Sequence, residues 1–133
     1  MALVCPDTAE VSMLKLITNN ASNADLKLKL FTTDVTPDDD TVLVDLTEAS
    51  GNGYAAKTLT GASWAISTSV GVTTASYAEQ TFTFTGALGN VYGYFITNGA
   101  GDELLWCERF TDAPYDIVNN GDEINVTVKI TLA

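Results

Sequence analysis

The residues able to do chemistry are few in kind and mostly acidic. The chain has no histidine, which removes Ser-His-Asp and Cys-His arrangements, histidine metal sites and the commonest general base together. Of its two cysteines, Cys5 stands near the amino terminus and Cys107 lies in the apolar stretch Leu104-Leu105-Trp106-Cys107. Their separation fits no zinc site or redox pair, and neither has the electropositive surroundings that make a thiolate. Both are expected to be reduced, with Cys107 packed as a small hydrophobe. Carboxylates could still work as an acid and base pair flanking a bond. They cluster in loops, however: Asp34, Asp38, Asp39, Asp40, Asp45 and Glu48 in one, Asp112 and Asp116 in another, Asp122 with Glu123 at a turn. Solvated turn residues are the usual meaning of that pattern. The run Asp38-Asp39-Asp40 could offer hard oxygen ligands to Ca²⁺, yet it lacks the alternating acids, central glycine and terminal glutamate of an EF-hand loop. No catalytic residue, metal site or cofactor is expected.

The glycine-rich pieces read as turns, because Gly51-Asn52-Gly53 has no βαβ context and no glycine loop runs into Gly-Lys-Ser or Gly-Lys-Thr. The aromatic residues carry more. Tyr92, Tyr94 and Phe95 surround Gly93, and Trp106, Phe110 and Tyr115 follow. They could line a sugar-binding face, but large rings more commonly fill cores or anchor subunit contacts. Tyr92 and Tyr94 are therefore candidate interface residues.

The elements that must position these groups are mainly strands. At the start, Pro6-Asp7 with Glu10 three residues on resembles an Asp form of the capping box, and Val11, Leu14 and Ile17 recur at helical spacing until Asn19-Asn20. One short helix is predicted, in an arm over residues 1–20 that precedes a β domain over residues 21–133. The period then changes to two: Leu26, Leu28 and Leu30 alternate with Lys27 and Lys29, predicting a strand with one buried and one wet face. Residues 34–48 read as a loop with Val42-Leu43-Val44 as a short strand inside it. Further strands are expected over 53–59, 62–68, 73–78, 80–85, 90–97, 103–110 and 123–132, separated by Gly and Asn turns. In the last of these Ile124, Val126, Val128, Ile130 and Leu132 point one way. Phe82 with Phe84, and Leu104 with Trp106, supply matching inward rows. Short strands joined by tight turns exclude a parallel α/β sheet. The expected fold is all-β, an antiparallel β-sandwich of jelly-roll type with one short N-terminal helix; an up-and-down barrel is the alternative.

Composition limits the partners. Hydrophobic residues make up 46% of the 133 and charged ones 17%, the balance of one folded domain. Seventeen acids against six bases leave a formal charge of -11, which repels a phosphate backbone, so nucleic acid is not an expected partner. No apolar run reaches signal-peptide or membrane-span form, and synthesis and use in the cytoplasm are expected.

Several stretches taken together resemble small virion structural proteins of tailed bacteriophages: Pro6 to Glu10, Gly53-Tyr54-Ala55-Ala56-Lys57-Thr58-Leu59 leading to Trp64, Asn90-Val91-Tyr92-Gly93-Tyr94, Leu104 to Phe110, and Asn119 to Ile124. The resemblance is to the decoration or cement type and spans nearly the whole chain, with no single diagnostic motif. It implies a homo-oligomer, commonly a trimer, seated on the major capsid protein lattice of a virion and clamping neighbouring capsomers. On that basis Val11, Leu14 and Ile17 either dock on a partner or cover one end of the chain's own core. The alternatives are a tail, fibre or head-tail connector component, or a carbohydrate-binding adsorption module.

Overall fold

The computed structural model describes residues 4–9 and 25–132. The fold is mainly β, and every strand pair in it is antiparallel. Its centre is a four-stranded sheet in the order β2 (Lys57–Leu59), β1 (Leu26–Phe31), β7 (Gly93–Thr97), β8 (Leu104–Arg109). Three smaller ladders surround it. They are β5 (Gln80–Thr83) with β10 (Glu123–Val126), β6 (Gly89–Val91) with β9 (Tyr115–Ile117), and β3 (Ala65–Ser69), β4 (Val72–Ser76) and β11 (Lys129–Leu132) in the order β11-β4-β3.

The central sheet has apolar side chains on both faces, which explains why all five residues of β7 are buried. On one face Leu28, Leu30, Tyr94 and Ile96 meet Phe82, Phe84, Ile124, Val126 and Val128 in a sandwich-like principal core. On the other, Phe31, Phe95, Leu104 and Cys107 form a second core roofed by Leu46, with Val4, Val35, Leu43 and Tyr92 packed against it. Each fully buried aromatic or aliphatic side chain contributes about 1.5–3 kcal/mol by leaving water. The face of β1 expected to be wet is thus partly roofed, and Lys29 pairs there with Glu48 at 3.2 Å. Gly93 is required where β7 passes against the Phe31 ring and the β8 backbone, since a Cβ there would lie 2.5 Å from Phe31 Cζ and 2.1 Å from the Glu108 carbonyl oxygen.

Several sequence expectations change in detail. Where Val42-Leu43-Val44 was expected as a short strand, Leu43–Asp45 forms a single 3-10 turn, closed by the Asp45 carboxylate accepting from Val42 N–H at 2.9 Å. The expected strand over 90–97 is two strands in different ladders, parted at Tyr92. Likewise 123–132 is two strands, although side-chain alternation runs unbroken from Glu123 through Lys129. Leu104 and Trp106 do not share one inward row, because a register shift between Ile96 and Thr97 inserts Leu105 and sends Leu104 to the second core and Trp106 to the first. Strand β9 lies where no strand was expected.

At the amino end, residues 7–9 take a helical turn, with Ala9 N–H donating to the Pro6 carbonyl at 2.8 Å. Val4 pairs with Cys107 by two backbone hydrogen bonds, so this segment extends the central sheet beyond β8. Pro6 and Ala9 are buried against the body. The remainder of the expected helix, including Val11, Leu14 and Ile17, falls outside the described residues. Among the described residues no helix is long and apolar enough to cross a membrane.

Candidate functional site

Several of the loop acids are occupied by local structure. Asp38 accepts from Asp40 N–H at 3.1 Å and from the Thr41 hydroxyl at 3.0 Å. Asp34 pairs with Arg109 at 2.7 Å, and Asp102 accepts from the Asn98 amide at 2.7 Å. Asp122 accepts from the backbone N–H groups of Asn119 and Val118, which hold its carboxyl below the usual range. Each carboxylate closes the turn or anchors the loop that carries it, as short acidic side chains do where backbone donors point outward. Among the described residues no group of three or more His, Cys, Asp or Glu side chains is arranged to hold a metal ion.

Other reactive groups are held in their neutral forms. Burial, with the negative forms of Cys5 and Asp38 as lesser causes, pushes the Cys107 thiol up to about 12. The Tyr94 hydroxyl donates to Glu108 at 2.6 Å, and burial followed by that carboxylate raises its pKa well above the ordinary value. Tyr54 stacks on Phe82 with centroids 5.9 Å apart. Its hydroxyl accepts from Leu30 N–H and donates to Glu48 at 3.0 Å, and burial raises its pKa as well.

The two tyrosines singled out from the sequence have separate surroundings. Tyr94, 5% exposed, packs in the principal core against Phe110 with centroids 6.1 Å apart. Tyr92 is half-buried beside the second core, with the Arg109 guanidinium over its ring at 5.0 Å. Three of the aromatic residues, Tyr94, Phe110 and Tyr115, converge at an open cleft of about 300 Å³, where Glu108, Asp112 and Asn125 meet them, whereas Tyr92 and Phe95 lie on the other face of the sheet. Tyr115 is 38% exposed and lies 5.0 Å from Phe110. This is where a carbohydrate-binding alternative would place a sugar ring.

A different surface is more unusual. The β3–β4 hairpin has all five β3 residues exposed, and nothing pairs with the outer edge of β3 among the described residues. Ile66 is 71% exposed and Val70, at the tip, 99%. Between Lys57 and Glu79 the chain has no charged residue, so this arm is electrically neutral on a strongly acidic molecule. Natural proteins normally blunt such an edge with lysine, proline or a bulge. Sequence reasoning placed strands here without singling out the edge. The available signal was the lack of charge together with a strand, Ala-Ile-Ser-Thr-Ser, that has no buried alternation to satisfy.

Compared with family models, curated proteins and solved structures, the chain matches none of them.

Proposed function

We propose that this chain is a structural protein of a tailed-phage virion, of the decoration or cement kind, that assembles as a homo-oligomer and stabilises the lattice of the major capsid protein. The observation that carries the reading is the neutral, open-edged β3–β4 hairpin standing on an acidic body, a surface suited to assembly through backbone pairing. Two further features support it. The body is packed on both faces of its central sheet, as a part that bears load requires. The Tyr54 and Tyr94 hydroxyls and the Cys107 thiol are held neutral and inward, which suits a scaffold more than a reaction centre. The resemblance described above supplies the capsid as the partner.

The test is to mix the purified protein with undecorated capsids and image them. The expected outcome is added density at positions of local symmetry on the shell and greater resistance of the decorated particles to heat. A protein that stays in the supernatant, or that labelling of intact virions places on the tail, would overturn the capsid reading.

A further inference from the structure

We infer that the edge of β3 left open among the described residues pairs antiparallel with β3 of a second copy about a two-fold axis through Ser67, joining two β11-β4-β3 ladders into one six-stranded sheet. This rests on reading the hairpin as an assembly surface, and not on the identity of the capsid partner.

The register follows from the hairpin. Ser69 lies opposite Val72 across the two-residue loop Val70-Gly71, whose φ values of 50° and 78° are both positive. Residues flanking such a loop form a hydrogen-bonded pair, and bonded and non-bonded pairs then alternate. The backbone groups of Ala65, Ser67 and Ser69 therefore turn toward β4, and those of Ile66 and Thr68 turn out to the open edge. Centring an antiparallel contact on Ser67 sets Ile66 against Thr68 of the second copy and Thr68 against its Ile66. Both pairs exchange N–H and C=O bonds, so every outward group of the two residues is satisfied.

The side chains fit the same arrangement. Ile66 pairs with Ala75, and Ala75 with Ile130, so all three share one face of the ladder. Ile130 packs against the principal core, whereas Ile66 extends that apolar row beyond it and remains exposed. Across the two-fold the Ile66 side chains occupy diagonal positions roughly 7–8 Å apart, within reach of each other. Charge selects the second copy as the occupant. Elsewhere two chains of charge -11 would set acids against acids, and only a neutral surface lets them approach. A basic partner would gain nothing from a hairpin with no acid in it. The contact is isologous and small, so the dimer is concentration-dependent.

Two experiments on the full chain test this. In solution mass measurements the protein should pass from 14.1 kDa to twice that mass as concentration rises. Ile66→Lys and Thr68→Lys, both at exposed positions, should stay monomeric with unchanged circular dichroism. Separately, Ser67→Cys should form a disulfide-linked dimer under mild oxidation, since a non-bonded pair brings the two Cα atoms within bridging range. Ser69→Cys, about 14 Å from its counterpart in this register, should cross-link no more than the unsubstituted chain. A monomer at every concentration, a trimer indifferent to the β3 substitutions, or equal cross-linking of both cysteine variants would overturn the inference. An unsubstituted chain that is monomeric at every concentration and still binds capsids would overturn the pairing and the homo-oligomer, and leave the capsid part of the proposed function standing.

Discussion

At the scale of single residues, the chain uses its polar groups for holding. Tyr54 and Tyr94 sit mostly in apolar surroundings with their hydroxyls against Glu48 and Glu108, and Cys107 is fully buried. All three have pKa values raised in the folded state relative to ordinary values of 10.0 for the tyrosines and 9.0 for the thiol. A raised folded pKa means that the contribution is complete below the unfolded value and declines as pH climbs through the interval toward the folded one. The melting temperature should therefore hold steady through neutral pH and fall from about pH 9 upward, with Tyr94→Phe showing a shallower decline. The companion measurement is alkylation. Native Cys107 should resist iodoacetamide at pH 8 and react only on unfolding, and equal rates in the two states would show that the thiol is not enclosed as described. The reduced, inward cysteine was legible from the apolar run around it. The engagement of Tyr94 by Glu108 was not, because it depends on the register that sets them opposite each other across β7 and β8.

At the scale of elements, alternation was a good guide to which side chains turn inward and a poor one to which strands pair. From Ile124 to Val128 every second residue is buried as expected, yet the hydrogen-bonding partner changes from β5 to β4 along the way. The side-chain period is indifferent to that exchange. The second core was illegible for another reason. Val35, Leu43 and Leu46 lie in a segment with neither a period of two nor one of 3.6, and only the three-residue spacing of Leu43 and Leu46 hinted at the 3-10 turn. The hairpin loop holds a local conflict of the opposite kind, a β-branched residue, Val70, at a φ of 50°. Left-handed backbone is costly for valine and easy for asparagine. Because Val70 is exposed and packs on nothing that its loss would empty, Val70→Asn should stabilise the protein by about 1 kcal/mol and raise the melting temperature by roughly 3–5 °C. An unchanged or lowered melting temperature would argue against this loop geometry. Gly71, also at positive φ, should stay glycine.

At the scale of the whole molecule, the distribution of charge matters more than its sum. The acidic excess keeps copies apart through the field of the body, while the hairpin contributes nothing to that repulsion. Pairing through β3 should therefore strengthen as salt is added, because the Debye length shrinks from about 30 Å at 0.01 M to about 8 Å at 0.15 M. Sedimentation at fixed protein concentration checks this. A dimer that dissociates with added salt would instead point to ion pairs holding the copies together, which the neutral hairpin does not offer. The general class of the fold was legible at this scale from composition and turn spacing. The docking of residues 4–9 onto the body was not, since Val4 joins a sheet edge formed about a hundred residues later in the chain.

The central sheet also resembles a party wall between two rooms. Phe31 and Phe95 furnish one side, Leu28, Leu30 and Ile96 the other, and the same short backbone carries both. Neither room can be emptied without leaving the wall bare on that side, so damage to either lining is felt next door. A chain built this way has little to gain from melting by halves; it stands or collapses as one piece.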